Sequence, residues 1–281
     1  MKFSILVANY NNGHFFDDCY NSIISQTADN WEVIILDDAS TDNSVEVIKN
    51  KIKGDPRFHF FENEVNRGVG FSKGKLIELA NGEICGFLDP DDALLPQAVQ
   101  ASSDIFKNKT DVVLTYSRPM KCDAALNPLH EIRSAMQVLN GDPFFFNCPV
   151  QIIHFVGFRK EVYLTCEKMN STLKIAEDQD LYLKMYEKGN VHFINQTDYL
   201  YRAHAGGISQ NDNKQKSYEY FAQAIFLAMK RRDLKQINGK NIPDKYTNSK
   251  EIFDLLAYQN SIPFRILKKW RLILRKFKAR R

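Results

Sequence analysis

The residues best suited to chemistry are carboxylates, and they fall at the ends of apolar runs. In Phe87-Leu88-Asp89-Pro90-Asp91-Asp92 three of them follow a short apolar stretch, and Pro90 ends any strand ladder there because it has no N–H to give. Asp89 and Asp91 are two apart, so at a strand end both can point to the same side. Hard oxygens gathered this way suit a divalent cation, Mg2+ or Mn2+, which carboxylates bridge to a diphosphate. A turn with solvated aspartates accounts for the same residues, and the two readings stay open at this point.

A second acidic pair, Asp37-Asp38, closes Val33-Ile34-Ile35-Leu36 and precedes Ala39-Ser40-Thr41-Asp42. Helix capping is the plain role here, but Thr41, Asp42 or Asn43 can do it, which leaves Asp37 and Asp38 free for a ligand. Asn9-Tyr10-Asn11-Asn12 ends the first apolar run, where Tyr10 can stack on a base while Asp38 accepts from its imide N–H. Glu177-Asp178-Gln179-Asp180 opens a predicted helix; acids in a first turn favour the helix dipole, and a carboxylate in a cleft can equally take a proton from an acceptor hydroxyl. Tyr201-Arg202-Ala203-His204, which runs on through Gly207 and Ser209, adds an imidazole able to ligate a metal. Its guanidinium can hold phosphate oxygens in a bidentate fork. A lone histidine is more often structural.

The elements that must position these groups alternate cleanly over the first third. Strands are expected at 3–8, 32–36, 58–61, 84–88 and 112–116, and helices at 14–26, from the caps at 41–44 through 51, at 68–81 and at 95–106. That order predicts an α/β fold, a mostly parallel sheet with helices on both faces. Ligands bind such a sheet beyond the carboxyl ends of its strands, so the acidic clusters would share one rim. Residues 117–149, with Phe144-Phe145-Phe146, lack periodicity and read as irregular. A helix is expected at 177–188, strands at 191–194 and 199–201, and a helix at 216–232.

Taken in order, these pieces resemble a known family. Tyr10-Asn11, Asp37-Asp38-Ala39-Ser40-Thr41-Asp42-Asn43-Ser44, Asn66-Arg67-Gly68, Leu88-Asp89-Pro90-Asp91-Asp92, Glu177-Asp178 and Tyr201-Arg202-Ala203-His204 are similar to the motifs of the family 2 inverting glycosyltransferases. The likeness covers roughly residues 3–210. It implies a Rossmann-like GT-A nucleotide-diphospho-sugar fold over 1–213, divided near 116 into a nucleotide-binding and an acceptor half, with a helical extension over 214–281. It also implies that Ala8, Tyr10, Asp38, Asn66, Gly68, Lys73, Asp89, Pro90 and Arg202 hold the donor. Asp91, Asp89 and His204 would hold Mn2+ or Mg2+, and Asp178 would be the catalytic base. This sequence departs from the family at Ala39, where Gly is frequent, and in the segment Phe71-Ser72-Lys73-Gly74-Lys75.

Composition narrows the alternatives. The chain has 281 residues, 44% of them hydrophobic and 26% charged, which excludes a disordered chain, a collagen or a coiled coil. Five cysteines without a C-x-x-C pair argue against a disulfide framework or zinc knuckle and for a reducing cytosol. No apolar run reaches the ~18 residues of a membrane span, and residues 1–8 read as a first strand. Charge is uneven: nine of the 38 Lys and Arg lie in 261–281, where there is no Asp or Glu. The body is therefore mildly acidic, which argues against a nucleic-acid binder. In the tail Ile266, Leu267, Trp270, Ile273, Leu274 and Phe277 recur at helical spacing among basic residues. That pattern predicts an in-plane helix on an anionic membrane, at the cytoplasmic face, against the plainer reading of a helix packed on the body.

The donor is expected to be a UDP-sugar, and the acceptor a saccharide or lipid-linked saccharide of a bacterial surface polymer. Acceptor contacts are expected in 117–170, with Phe144–146, Gln151 and His154 as a wall. The rivals are a nucleotide-sugar binding module without turnover and a D-x-D phosphatase. The phosphatase is disfavoured because Ala93 stands where such enzymes usually carry Thr or Val. Gly68-x-Gly70-x-x-x-Gly74 departs from the dinucleotide-binding spacing.

Overall fold

The computed structural model of the chain describes residues 1–204, 206 and 214–278, the side chains of 275–278 excepted; Gly207, Ser209 and the end of the basic tail lie outside the described residues. β1 (Phe3–Asn9) and β2 (Trp31–Asp37) are near-continuous apolar runs because both of their faces are covered. Ile5, Val7, Val33 and Ile35 join one core cluster, and Leu6, Ile34 and Leu36 the other. With β3 (Phe58–Glu62) and β4 (Ile84–Phe87) they form a parallel run in the order β3-β2-β1-β4. α1 (Phe16–Ile24), α2 (Ser44–Ile52) and α4 (Ala98–Asn108) cover one face through Phe16, Ile23, Ile48, Val99 and Phe106. α3 (Val69–Leu79) and α6 (Glu177–Tyr186) cover the other through Leu76, Ile77, Leu181 and Met185.

Beyond β4 the sheet stops being all parallel. β8 (Val156–Arg159) runs antiparallel between β4 and β6 (Val112–Cys122). β9 (Asn190–Arg202) is parallel to β6, and the two-residue β5 (Ala93–Leu94) pairs antiparallel to it. β8, and α5 (Lys160–Leu164) after it, are elements the sequence did not announce. Gly157 makes β8 fit: a Cβ there would lie 2.4 Å from Ser102 Oγ and 3.0 Å from Thr115 Oγ1. Two further expectations change. β6 extends to Cys122 and β7 (Pro128–Glu131) folds back on it, so part of the supposedly irregular middle is sheet. The two strands expected at 191–194 and 199–201 are one, β9, held along its length by β6.

α7 (Lys214–Arg231) and α8 (Ser249–Leu256), joined through the small hairpin β10 (Gln236–Ile237) and β11 (Lys240–Asn241), send Ala222, Ile225, Met229, Ile252 and Leu256 into the cluster that α3 and α6 share. α9 (Ile262–Lys278) carries the basic tail.

Candidate active site

Parallel register decides which residues meet. Asn9 lies opposite Asp37 and Leu6 opposite Phe87; the Asp38 N–H donates to Asn9 O at 2.8 Å and the Leu88 N–H to Leu6 O at 3.0 Å. The chain therefore leaves β1, β2 and β4 at one rim, carrying Tyr10, Asp38 and Asp89–Asp92. Tyr10 is exposed there, one residue beyond buried Asn9 and two beyond half-buried Ala8.

The two acids at the end of β2 are not free. Asp37 accepts from Asn9 Nδ2 at 2.7 Å, from Ser40 N at 2.8 Å and from Ser40 Oγ at 2.6 Å. Asp38 accepts from Asn63 Nδ2 (2.7 Å), Arg67 N (2.9 Å) and Gly68 N (2.8 Å). Both carboxylates are buried, and a buried charge must find donors. Asp37 ties the ends of β1 and β2, while Asp38 fastens the turn 66–68, where Asn66 is exposed and Gly68 is left-handed at φ +86°. Ala39, where the family often has Gly, holds φ +63°, a strained value for a residue with a Cβ.

One ammonium group joins the two halves of the rim. Lys73 on α3 is buried and donates to Glu177 Oε1 at 2.8 Å, with Asp89 Oδ1 at 3.9 Å. Burial alone would lower its pKa; the charges of Glu177, Asp89 and Asp178 outweigh that and raise it, so Lys73 stays protonated. Burial pushes the Glu177 carboxyl up while Lys73 draws it back. Asp178 follows Glu177 in the first turn of α6, after left-handed Ala176. Its Oδ1 accepts from Gln179 N at 2.8 Å, and His154 Nε2 stands 3.9 Å from Oδ2.

The turn after β4 is braced from β9. Asp92, wholly buried, accepts from Arg202 N at 2.7 Å, and the Asp89 N–H donates to Tyr199 OH at 3.3 Å. Pro90 is buried between them. The Arg202 guanidinium is buried over the Phe15 ring and donates to Asp91 O, Ala124 O and Asp18 Oδ2. The open bidentate fork expected of Arg202 is thus closed on the protein, since a buried guanidinium needs acceptors at hand.

Asp91 Oδ2 and His204 Nε2 stand 2.8 Å apart. Burial first, then the charge of Asp89, pushes the Asp91 carboxyl up; burial with Asp91 and Asp89 pushes Asp92 up further. Three carboxylates, Asp89, Asp91 and Asp92, thus crowd one partly buried turn. Asp91 and His204 would offer a divalent cation one carboxylate oxygen and one imidazole nitrogen. Asp89 turns to Lys73 instead, and among the described residues no three His, Cys, Asp or Glu side chains converge on one point. The expected trio of protein ligands is not assembled.

The acceptor wall is corrected in part. Phe145 and Phe146 are core residues, Phe145 packing on Tyr186, because this segment must seal the sheet face. His154 does reach the site, stacked on Tyr199. Sequence reasoning missed Asn63, which bridges Asp38 and Ser72, and Gln179, which touches Asp178 and is itself held by Asn147. An isolated Asn inside the apolar run Phe144-Phe145-Phe146-Asn147 was the one available signal.

Comparison with known proteins bears on the family and the fold. A sequence model of glycosyl transferase family 2 matches residues 4–165. The chondroitin synthase of Escherichia coli is 26% identical over 266 residues, which is 90% of this chain and 37% of that protein. The chain thus spans little more than a third of that relative. Among solved structures, S. aureus TarS 1–349 in complex with UDP superposes with a TM-score of 0.65 at 17% identity, over 93% of this chain and 73% of that one. The mannosyltransferase PcManGT of Pyrobaculum calidifontis, in complex with GDP-Man and Mn2+, gives 0.58 at 15%, over 96% and 72%. At these identities the structures speak for the fold, which is GT-A. With the family match covering more than half of its length, the chain belongs to glycosyl transferase family 2.

Proposed function

We propose that this glycosyltransferase moves a sugar from a UDP-sugar to a saccharide or lipid-linked saccharide acceptor of a surface polymer, inverting the anomeric carbon, with Asp178 as general base. The observation that carries the reading is the Lys73 ammonium between Asp89 and Glu177, because it puts the carboxylate next to Glu177 at the rim where the D-x-D turn ends. The UDP bound to TarS and the chondroitin synthase relative support the donor and the polymer class.

Tyr10, exposed at the end of β1, stacks on the nucleobase, and Asp38 keeps the 66–68 turn in place. The acceptor hydroxyl attacks the anomeric carbon from the face opposite the nucleotide. Its proton passes to an Asp178 oxygen as the new C–O bond forms, and the old C–O bond gives its electron pair to the diphosphate. Asp91 and His204 would hold a Mn2+ or Mg2+ ion, which supplies charge neutralisation for the departing diphosphate. Arg202 braces the D-x-D turn rather than touching the leaving group.

The tail extends the reading. Ile262, Ile266, Leu267, Trp270, Ile273 and Leu274 of α9 are exposed beside its basic residues, and no helix among the described residues is long and apolar enough to cross a membrane. α9 is the element that seats the enzyme on an anionic membrane surface at its cytoplasmic face. Co-sedimentation with phosphatidylglycerol vesicles checks this: the full chain pellets and a chain ending at Ile262 does not, and equal partitioning refutes it. The donor reading is checked by thermal unfolding. UDP raises the melting temperature only when Mn2+ or Mg2+ is present, and a shift of equal size in EDTA contradicts the metal-assisted reading.

A further inference from the structure

Asp178 is held by a chain of amides whose direction is fixed at its far end. Asn147 is wholly buried at φ +53°, in the loop that precedes β8. Its Oδ1 accepts from the backbone N–H groups of Gln151 and Ile152, both at 2.8 Å. A backbone N–H can only donate, so the Asn147 amide has one orientation. Its Nδ2 therefore points the other way, donating to Ile152 O at 2.9 Å and to Gln179 Oε1 at 2.7 Å. Gln179 in turn has its Oε1 occupied, which leaves Nε2 to face Asp178 Oδ2 at 3.3 Å while its backbone N–H donates to Oδ1 at 2.8 Å. Both oxygens of Asp178 are thus met by one residue. The loop is anchored from outside as well, where Lys268 Nζ of α9 donates to Gln151 Oε1 at 2.9 Å.

A loop staple would need only the contacts Asn147 makes with Gln151 and Ile152. The bond to Gln179, 32 residues away, is surplus to that role and transmits the amide direction to the carboxylate. We propose that Asn147 and Gln179 are positioning residues that orient Asp178 toward the acceptor, a claim that rests on Asp178 being the base. Neither residue touches substrate.

Asn147→Asp tests the relay with little change of shape. Aspartate tolerates the left-handed backbone and keeps an acceptor for both backbone N–H groups, but it replaces the Nδ2 donor with an oxygen. The Gln179 amide must then turn Nε2 toward residue 147 and present Oε1 to Asp178, repelling it. Turnover is read as UDP release with whichever of UDP-GlcNAc, UDP-glucose and UDP-glucuronate the wild type uses fastest, with melting temperature measured alongside. Expected is a fall in kcat of about tenfold to a hundredfold with donor KM within about twofold, as for a misoriented reacting group. In a Gln179→Ala background the same change should add less than about twofold, because the route through Gln179 is already cut.

Unchanged kcat in a folded Asn147→Asp chain, or defects that multiply in the double variant, overturns the proposal. Gln179→Glu, at a half-buried site, serves if Asn147→Asp fails to fold. It removes the donor to Asp178 and should give the same loss, and wild-type kcat there overturns the proposal too. Asp178→Ala separates the two claims. Full turnover in that variant removes the base, and the relay with it, whereas a dead Asp178→Ala beside wild-type Asn147→Asp and Gln179→Glu sinks the relay alone.

Discussion

Replacing Lys73 by Met should unsettle the fold and the site together. The ammonium lies 2.8 Å from Glu177 Oε1, and both side chains are 6% exposed. Asp89 is 3.9 Å away and Asp178 is adjacent to Glu177. Methionine fills similar space but leaves the Glu177 carboxylate buried without its cation. Breaking one side of a buried pair costs about 3–5 kcal/mol, a fall in melting temperature on the order of 6–15 °C for a chain of this size. Burial already pushes the Glu177 carboxyl above its ordinary range, and loss of Lys73 pushes it further. A carboxyl raised in the folded state contributes stability below its unfolded pKa and loses it as pH rises, so the deficit should shrink as pH falls toward the acid side of neutrality. Adding Glu177→Leu removes the stranded charge and should restore more than half of the lost stability. Thermal unfolding by circular dichroism at two pH values reads all three effects. A Lys73→Met chain that melts within a degree or so of wild type at both would refute the reasoning, because the pair would then be screened rather than buried.

Tyr10→Ala should weaken UDP binding by about 5- to 150-fold, the ~1–3 kcal/mol of one base–aromatic stack, while the melting temperature of the free chain stays put because Tyr10 is exposed. Isothermal titration measures the first and unfolding the second; unaltered affinity removes Tyr10 from the donor site. At the opposite end of the sheet, Glu32 accepts from Lys2 Nζ, Ser4 Oγ, Asn81 N and Gly82 N. Burial pushes its carboxyl up, but these donors prevail and lower it from 4.5 to about 2. Its stabilisation is thus complete above about pH 4.5 and lost as pH falls through about 2. Urea unfolding across that window should show a steeper loss for wild type than for Glu32→Gln, and parallel slopes would contradict the assignment.

Much of this site was legible before any coordinates. Strand–helix alternation through residue 116 put Tyr10, Asp38 and Asp89–Asp92 at one rim, and parallel pairing of β1, β2 and β4 places them there. What could not be read is which acids have partners. Asp37, Asp38, Asp91 and Asp178 look alike in a sequence, yet Asp37 is closed by Ser40 and by Asn9 of β1, and Asp38 by N–H donors 25 to 30 residues away, whose approach is set by tertiary packing. Arg202 is closed for the same reason: residues 18, 91 and 124 all bring it acceptors. β8 escaped because Val156-Gly157-Phe158-Arg159 is too short for periodicity to register, and its antiparallel insertion breaks the alternation that guided the rest. The acceptor wall expected at Phe144–Phe146 loses two members because the apolar face of the sheet takes Phe145 and Phe146 into the core.

The sharpest single check is sugar transfer by Asp178→Asn. Asparagine keeps the shape of the side chain and removes its capacity to take a proton, so UDP should bind with wild-type affinity while transfer falls about a hundredfold or more. An Asp178→Asn enzyme that transfers sugar at close to the wild-type rate would contradict the account, since the proton of the acceptor would have another destination.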